Sequence, residues 1–135
     1  MSSQRTAYAG MMLALAGLST PMAHADDAKL KALLKERLEV LQQAEREVEQ
    51  SFRAGQVPVD QMVQANQAVL KAQLDLTESK KERLVILEKA IVNARRTEDY
   101  ATTATRAGVV PSRELLKAKA GRLAAEIALE RAKLK

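Results

Sequence analysis

The chemistry open to this chain is set first by what it lacks: its 135 residues contain no cysteine and a single histidine, His24. Zinc, copper and haem sites are built on thiolate and imidazole ligands, so none can be assembled from such a set. The 17 carboxylates could hold a hard cation, but they are scattered among bases at helical spacing, the pattern of a solvated face. Catalysis needs a nucleophile with its base, an acid and a base paired in a pocket, or a metal. Lys, Ser, Thr and carboxylates spread over helix faces form no such constellation. The expectation is no enzyme, no cofactor and no metal. The informative residues are instead two glycines and their surroundings.

Arg53-Ala54-Gly55-Gln56-Val57-Pro58 returns as Arg106-Ala107-Gly108-Val109-Val110-Pro111. At the same offset of 53 residues (108 minus 55) the match continues through Ala65/Ala118, Leu70/Leu123, Ala72/Ala125, Leu76/Leu129 and Lys80/Lys133. A glycine just past a run of periodic apolar residues takes the left-handed conformation that ends a helix, and a nearby proline punctuates the turn. The repeating unit is therefore a helix-turn-helix. Stacking such units buries apolar faces that no unit covers alone.

The first 25 residues read differently. Arg5 gives a positive n-region, Met11 to Leu18 a short apolar core, and Ala23-His24-Ala25 a small-x-small cleavage site. The expectation is a secretory signal cleaved after Ala25 and a periplasmic mature chain over residues 26–135. The apolar run falls far short of the roughly 20 residues of a spanning helix. No cysteine follows it, which excludes a lipoprotein anchor.

Removing the signal takes away His24 and leaves Phe52 and Tyr100 as the only rings. Stability must then come from Leu, Val, Ile and Ala seams between helices, without disulfides and without a thick aromatic core. The net charge, +5 for the whole chain, implies no nucleic acid: stacking platforms need more rings, and a groove reader needs a localised basic helix.

Periodicity predicts three helices and no strand, an elongated antiparallel coiled coil. The first spans about 27 to 54, capped by Asp26 or Asp27, with Leu34, Leu38, Leu41, Val48 and Phe52 in its seam and Glu45 interrupting it. The second begins at Asp60 as its cap and runs without a glycine or proline to Gly108, with Met62, Val69, Leu76, Leu84, Leu87, Ile91, Ala94 and Ala101 along its stripe and Lys80 and Lys81 interrupting it midway. Its threonine-rich end, Thr97 to Thr105, is the weakest helix former. The third starts at a Ser112 cap and packs through Leu116, Ala120, Leu123, Ile127 and Leu134. The expected packing lays the first and third along opposite halves of one long central helix, with the turns at 55–58 and 108–111 at opposite ends.

The stretch from Phe52 through Gly55, Pro58 and Asp60 to Ala65, with Leu70, Ala72 and Leu76, resembles the helix-turn-helix of TolC-like outer-membrane efflux proteins. Their pattern runs aromatic, two residues, glycine, short turn, acidic residue, then an Ala/Leu ladder. Gly108 through Glu114 and Ala118 is similar; Asp60 lies one residue early and Thr105 replaces the aromatic. The resemblance implies a periplasmic tip that meets the helical hairpins of an adaptor, with Phe52, Arg53, Gly55, Asp60, Arg106, Gly108 and Glu114 as partner-binding residues. In that family both tips point the same way, whereas an uninterrupted central helix would separate them here. Lacking strands, this chain would not be the channel itself.

The function expected on these grounds is recognition by a periplasmic helical protein, accessory to envelope efflux or metal resistance, through its seams and turns toward a protein partner or a second copy. The alternative is a periplasmic holdase, which needs an exposed apolar cleft.

Overall fold

The computed structural model describes the backbone of residues 9–135 and the side chains of residues 26–135. The expected signal segment, residues 1–25, thus lies outside the residues whose side chains are described. Four helices follow one another, α1 (Ala9–Arg53), α2 (Val59–Asp75), α3 (Lys80–Arg106) and α4 (Ser112–Leu134), with no strand among the described residues. None of them is long and apolar enough to cross a membrane. The chain divides into two units, residues 1–35 and 36–135. In the first, the described side chains are exposed apart from the half-buried Leu34. Asp26 and Asp27 lie inside α1 and cap nothing.

The all-helical class holds, but there are four helices in place of three, because the expected central helix breaks at residues 76–79. No glycine or proline stands there. The device is a serine cap: the Ser79 hydroxyl accepts from the Glu82 N–H at 3.1 Å, and Glu82 places a carboxylate in the first turn at the positive end of the helix dipole. On the other side the Thr77 hydroxyl donates to the Gln73 carbonyl at 2.7 Å, and the Arg83 guanidinium reaches the Leu74 carbonyl at 3.4 Å. Both add a second donor to carbonyls that already accept the backbone amides of Leu76 and Thr77, at 3.2 and 3.1 Å, and so tighten the last turn of α2.

The break turns α3 back against α2. Val59, at the start of α2, packs with Ala101 near the end of α3 and with Ala118 of α4, while Phe52, Val63 and Leu115 lie against this cluster. At the other end Leu87, Ile91 and Leu129 form a second cluster, covered by Leu70, Leu74 and Leu84. Residues 36–135 therefore form two antiparallel hairpins, α1–α2 and α3–α4. The repeat explains this: residues 27–53 of α1 stand 53 positions before 80–106, the full length of α3.

Met62, Val69, Leu87, Ile91 and Ala101 are buried, as their periodicity predicts. Thr97 is buried as well, and helix α3 continues to Arg106; the hydroxyls of Thr97, Thr102 and Thr103 donate to carbonyls four residues back. The α4 seam is the opposite of the expected one. Ala118 and Leu129 face the interior, whereas Leu116, Leu123, Ile127 and Leu134 are exposed. The small face is chosen because it allows close approach: a Cβ on Gly121 would sit 3.3 Å from a Val63 methyl.

Candidate functional site

Each turn is built by the same hydrogen bonds. At the first, Gly55 N–H donates to the Phe52 carbonyl at 3.0 Å and Gln56 N–H to the Ser51 carbonyl at 2.9 Å; at the second, Gly108 donates to Thr105 at 3.0 Å and Val109 to Ala104 at 2.9 Å. This is the Schellman closure, and it needs a left-handed residue at its centre. Both glycines have φ +72°. Beyond each, a proline in extended conformation, with φ −72° at Pro58 and −70° at Pro111, starts the next helix. Asp60 and Ser112 consequently sit within helices and not at their caps, and neither turn has a side-chain cap from its own proline.

Because α3 runs back along α2, the two turns lie side by side at one end, not at opposite ends as the sequence led us to expect. A groove of about 380 Å³ runs between them, lined by Phe52, Val57, Tyr100, Val109, Val110 and Arg113 among others. Val109, 70% exposed, stands at its lip.

Glu114 joins the turns. Its residue is 8% exposed, and its Oε2 accepts the Val59 N–H at 2.9 Å across the two hairpins. The first amides of a helix need an acceptor, which proline cannot offer from its side chain, and a carboxylate suits the positive end of the helix dipole. Lys117 completes the junction, its ammonium 2.8 Å from Asp60 Oδ2 and 3.5 Å from Glu114 Oε1. The bond to Asp60 chiefly holds that ammonium above the ordinary lysine range.

On the other side Phe52 and Tyr100 pack with ring centroids 5.0 Å apart, tilted by 52°. The Tyr100 hydroxyl donates to the Arg53 carbonyl, one of the acceptors left at the end of α1. The Arg53 guanidinium pairs with Glu49 at 2.7 Å. Arg106 is exposed at the end of α3.

The structure thus brings Phe52, Arg53, Gly55, Asp60, Arg106, Gly108 and Glu114 to one end. It adds three residues that sequence reasoning did not assign to the site, Val59, Lys117 and Arg113. Lys117 was findable, three residues after Glu114 on the same helix face. Val59 was not, since its partner is distant in sequence.

No group of three or more His, Asp or Glu that could hold a metal occurs among the described residues. The end offers apolar surface, backbone at two tight turns and the bases Arg53, Arg106 and Arg113. No family model, curated protein or solved structure matches this chain.

Proposed function

We propose that this chain is a periplasmic helical interaction protein that recognises partner helices through its paired turns, as an accessory to an envelope assembly of the efflux or metal-resistance kind. One observation carries the reading: two turns with the same hydrogen bonds stand together over a shared groove. The resemblance to TolC-like tips supports it further, because a pair of tips facing one way is what that family's pattern implies. The mechanism is recognition alone. Val57, Val109 and Val110 supply apolar contact, and Arg53, Arg106 and Arg113 supply donors for acidic or carbonyl groups at the end of a partner hairpin.

The test uses the absence of natural cysteine. Gln56→Cys and Val109→Cys, each carrying a short photo-cross-linker, are expected to give adducts with the same partner in the cell envelope, and Lys71→Cys, exposed on the side of α2, none. Adducts from neither turn, equal labelling from Lys71→Cys, or a chain retained in the cytoplasm would refute the proposal.

A further inference from the structure

The outward face of α4 is an apolar seam left exposed among the described residues. Leu116, Leu123 and Ile127 are 64%, 49% and 49% exposed, and the exposed Ala120 lies between them. Their alternating steps of four, three and four residues are those of a coiled-coil seam. The repeat shows what this register is for. At the offset of 53, Leu116, Leu123 and Ile127 correspond to Val63, Leu70 and Leu74 of α2. In α2 those three residues are half-buried and pack against the two interior clusters. The same register is thus a covered packing seam in the first hairpin and an open one in the second.

We infer that a second copy of this chain covers it, α4 against α4, antiparallel about a two-fold axis. The charges select that arrangement. Glu130 follows Ile127 in the seam, so a parallel pair would set it against the partner's Glu130. An antiparallel pair centred on Leu123 and Ile127 would bring Glu126 toward the partner's Glu126 and Lys119 toward the partner's Lys133. Shifting it by one heptad removes every clash. Leu116 then meets the partner's Ile127, Ala120 meets the partner's Leu123, Glu130 falls outside the core, and Lys119 of each copy lies beside the partner's Glu126.

Two apolar layers and their symmetry mates make a contact smaller than the roughly 800 Å² per partner of a standard interface, so the dimer is expected to be reversible and concentration-dependent. The closed two-fold leaves neither copy of this α4 seam open for further growth. This pairing uses the side of the second hairpin and is independent of the turns.

Sedimentation of the full chain over a concentration series reads it directly. The expected result is a monomer–dimer equilibrium, abolished by Leu123→Glu with Ile127→Glu while helicity is unchanged. Should that double variant lose helicity, Lys119→Glu, at an exposed position, is expected to weaken the dimer several-fold by facing the partner's Glu126. A mixture of Leu116→Cys and Ile127→Cys chains is expected to cross-link between the two, and Leu116→Cys alone not to cross-link. A monomer at every concentration, a dimer that survives the charged variants, open-ended oligomers, or Leu116→Cys pairing with itself would overturn the inference. So would protection of an aggregating client that the parent gives and Leu123→Glu with Ile127→Glu loses, since an unfolded chain would then be the occupant. Each of these readouts is taken on the purified chain, so failure here leaves the proposal for the turns standing.

Discussion

Glu114→Ala is the most demanding test of how the two turns are held together. The Glu114 carboxylate accepts the Val59 N–H at 2.9 Å, and Val59 is 1% exposed, so its amide has no route to bulk water when the acceptor is removed. A bond to a charged group contributes about 1.5–3 kcal/mol, and a buried amide left unpaired carries a penalty of the same order. Because these describe two sides of one loss and are not summed, about 3 kcal/mol is expected for the substitution. The Lys117 ammonium adds little, being 3.5 Å from Glu114 and exposed, with Asp60 still beside it at 2.8 Å. At roughly 4–8 °C per kcal/mol for a domain of this size, Tm falls by about 12 °C or more. Glu114→Gln keeps an acceptor and loses only the charge assistance, so it should cost about 1 kcal/mol. The repeat provides its own control. Gln61 occupies the equivalent position in the first hairpin but is exposed, and Gln61→Ala should change stability by no more than about 0.5 kcal/mol. Urea titration followed by far-ultraviolet circular dichroism measures all three. Equal losses for Glu114→Ala and Gln61→Ala, or a loss below about 1 kcal/mol for the former, would refute a cross-hairpin cap.

Two further expectations concern the glycines and the interrupted seam. Gly55→Ala and Gly108→Ala meet no atom within 4 Å but must adopt φ +72°, so each should cost about 1 kcal/mol, and the two costs should be equal in denaturant titrations. Burial pushes the Glu45 carboxyl above its ordinary value of 4.5; neighbouring Glu49 adds to this, and Arg46 partly offsets it. The folded state then binds the proton more tightly than the unfolded state. Its stabilising effect is complete below pH 4.5 and is lost as pH rises through the folded value. Glu45→Gln is therefore expected to raise the melting temperature at pH 7, with the advantage vanishing toward pH 4; an advantage that grows on acidification would contradict the burial argument.

The two turns were legible because glycine and proline act locally: a left-handed residue and a missing amide leave few alternatives. The break between α2 and α3 was legible only in part. Ser79 followed by Glu82 is the capping-box pattern, yet serine and glutamate tolerate a helix interior, so it competes with an apolar stripe that resumes at Leu84 after a gap from Thr77 to Arg83. A continuous helix would set the turns at two ends, whereas the break brings them to one. The α4 seam failed for a different reason. The helix is apolar on two faces, and residue size favours the Leu/Ile face, whereas the fold selects the face whose small residues let α4 approach α2 as closely as Gly121 does Val63. Glu114 was legible as an acidic residue near a turn. Its role was not, because the amide it satisfies reaches it only after α3 has folded back.

The repeat keeps the turns alike and lets the sides diverge, and the divergence has electrostatic consequences. Glu98 of α3 meets Arg122 of α4, which also holds Glu126 at 3.0 Å, and Arg95 reaches Glu126 at 3.3 Å. Burial alone would raise the Glu126 carboxyl, but the bonds from Arg95 and Arg122 outweigh it and leave that carboxyl below the ordinary range. In the first hairpin the counterpart of Glu98 is Glu45, and the counterpart of Arg122 is Val69. Glu45 therefore shares a cleft of about 360 Å³ with Val69, Asn66 and Asn93, and no arginine lines that cleft. The α3–α4 hairpin is knit together by charge and leaves Leu116, Leu123 and Ile127 outside, whereas in α2 the equivalent Val63, Leu70 and Leu74 are half-buried and Glu45 lies beside a mixed cleft lined by Asn66, Asn93, Lys89 and several alanines. A pair of hairpins with the same tip and different sides can present two equivalent turns to one partner while offering the α4 face for pairing, which is why the end and the side of this molecule are testable separately.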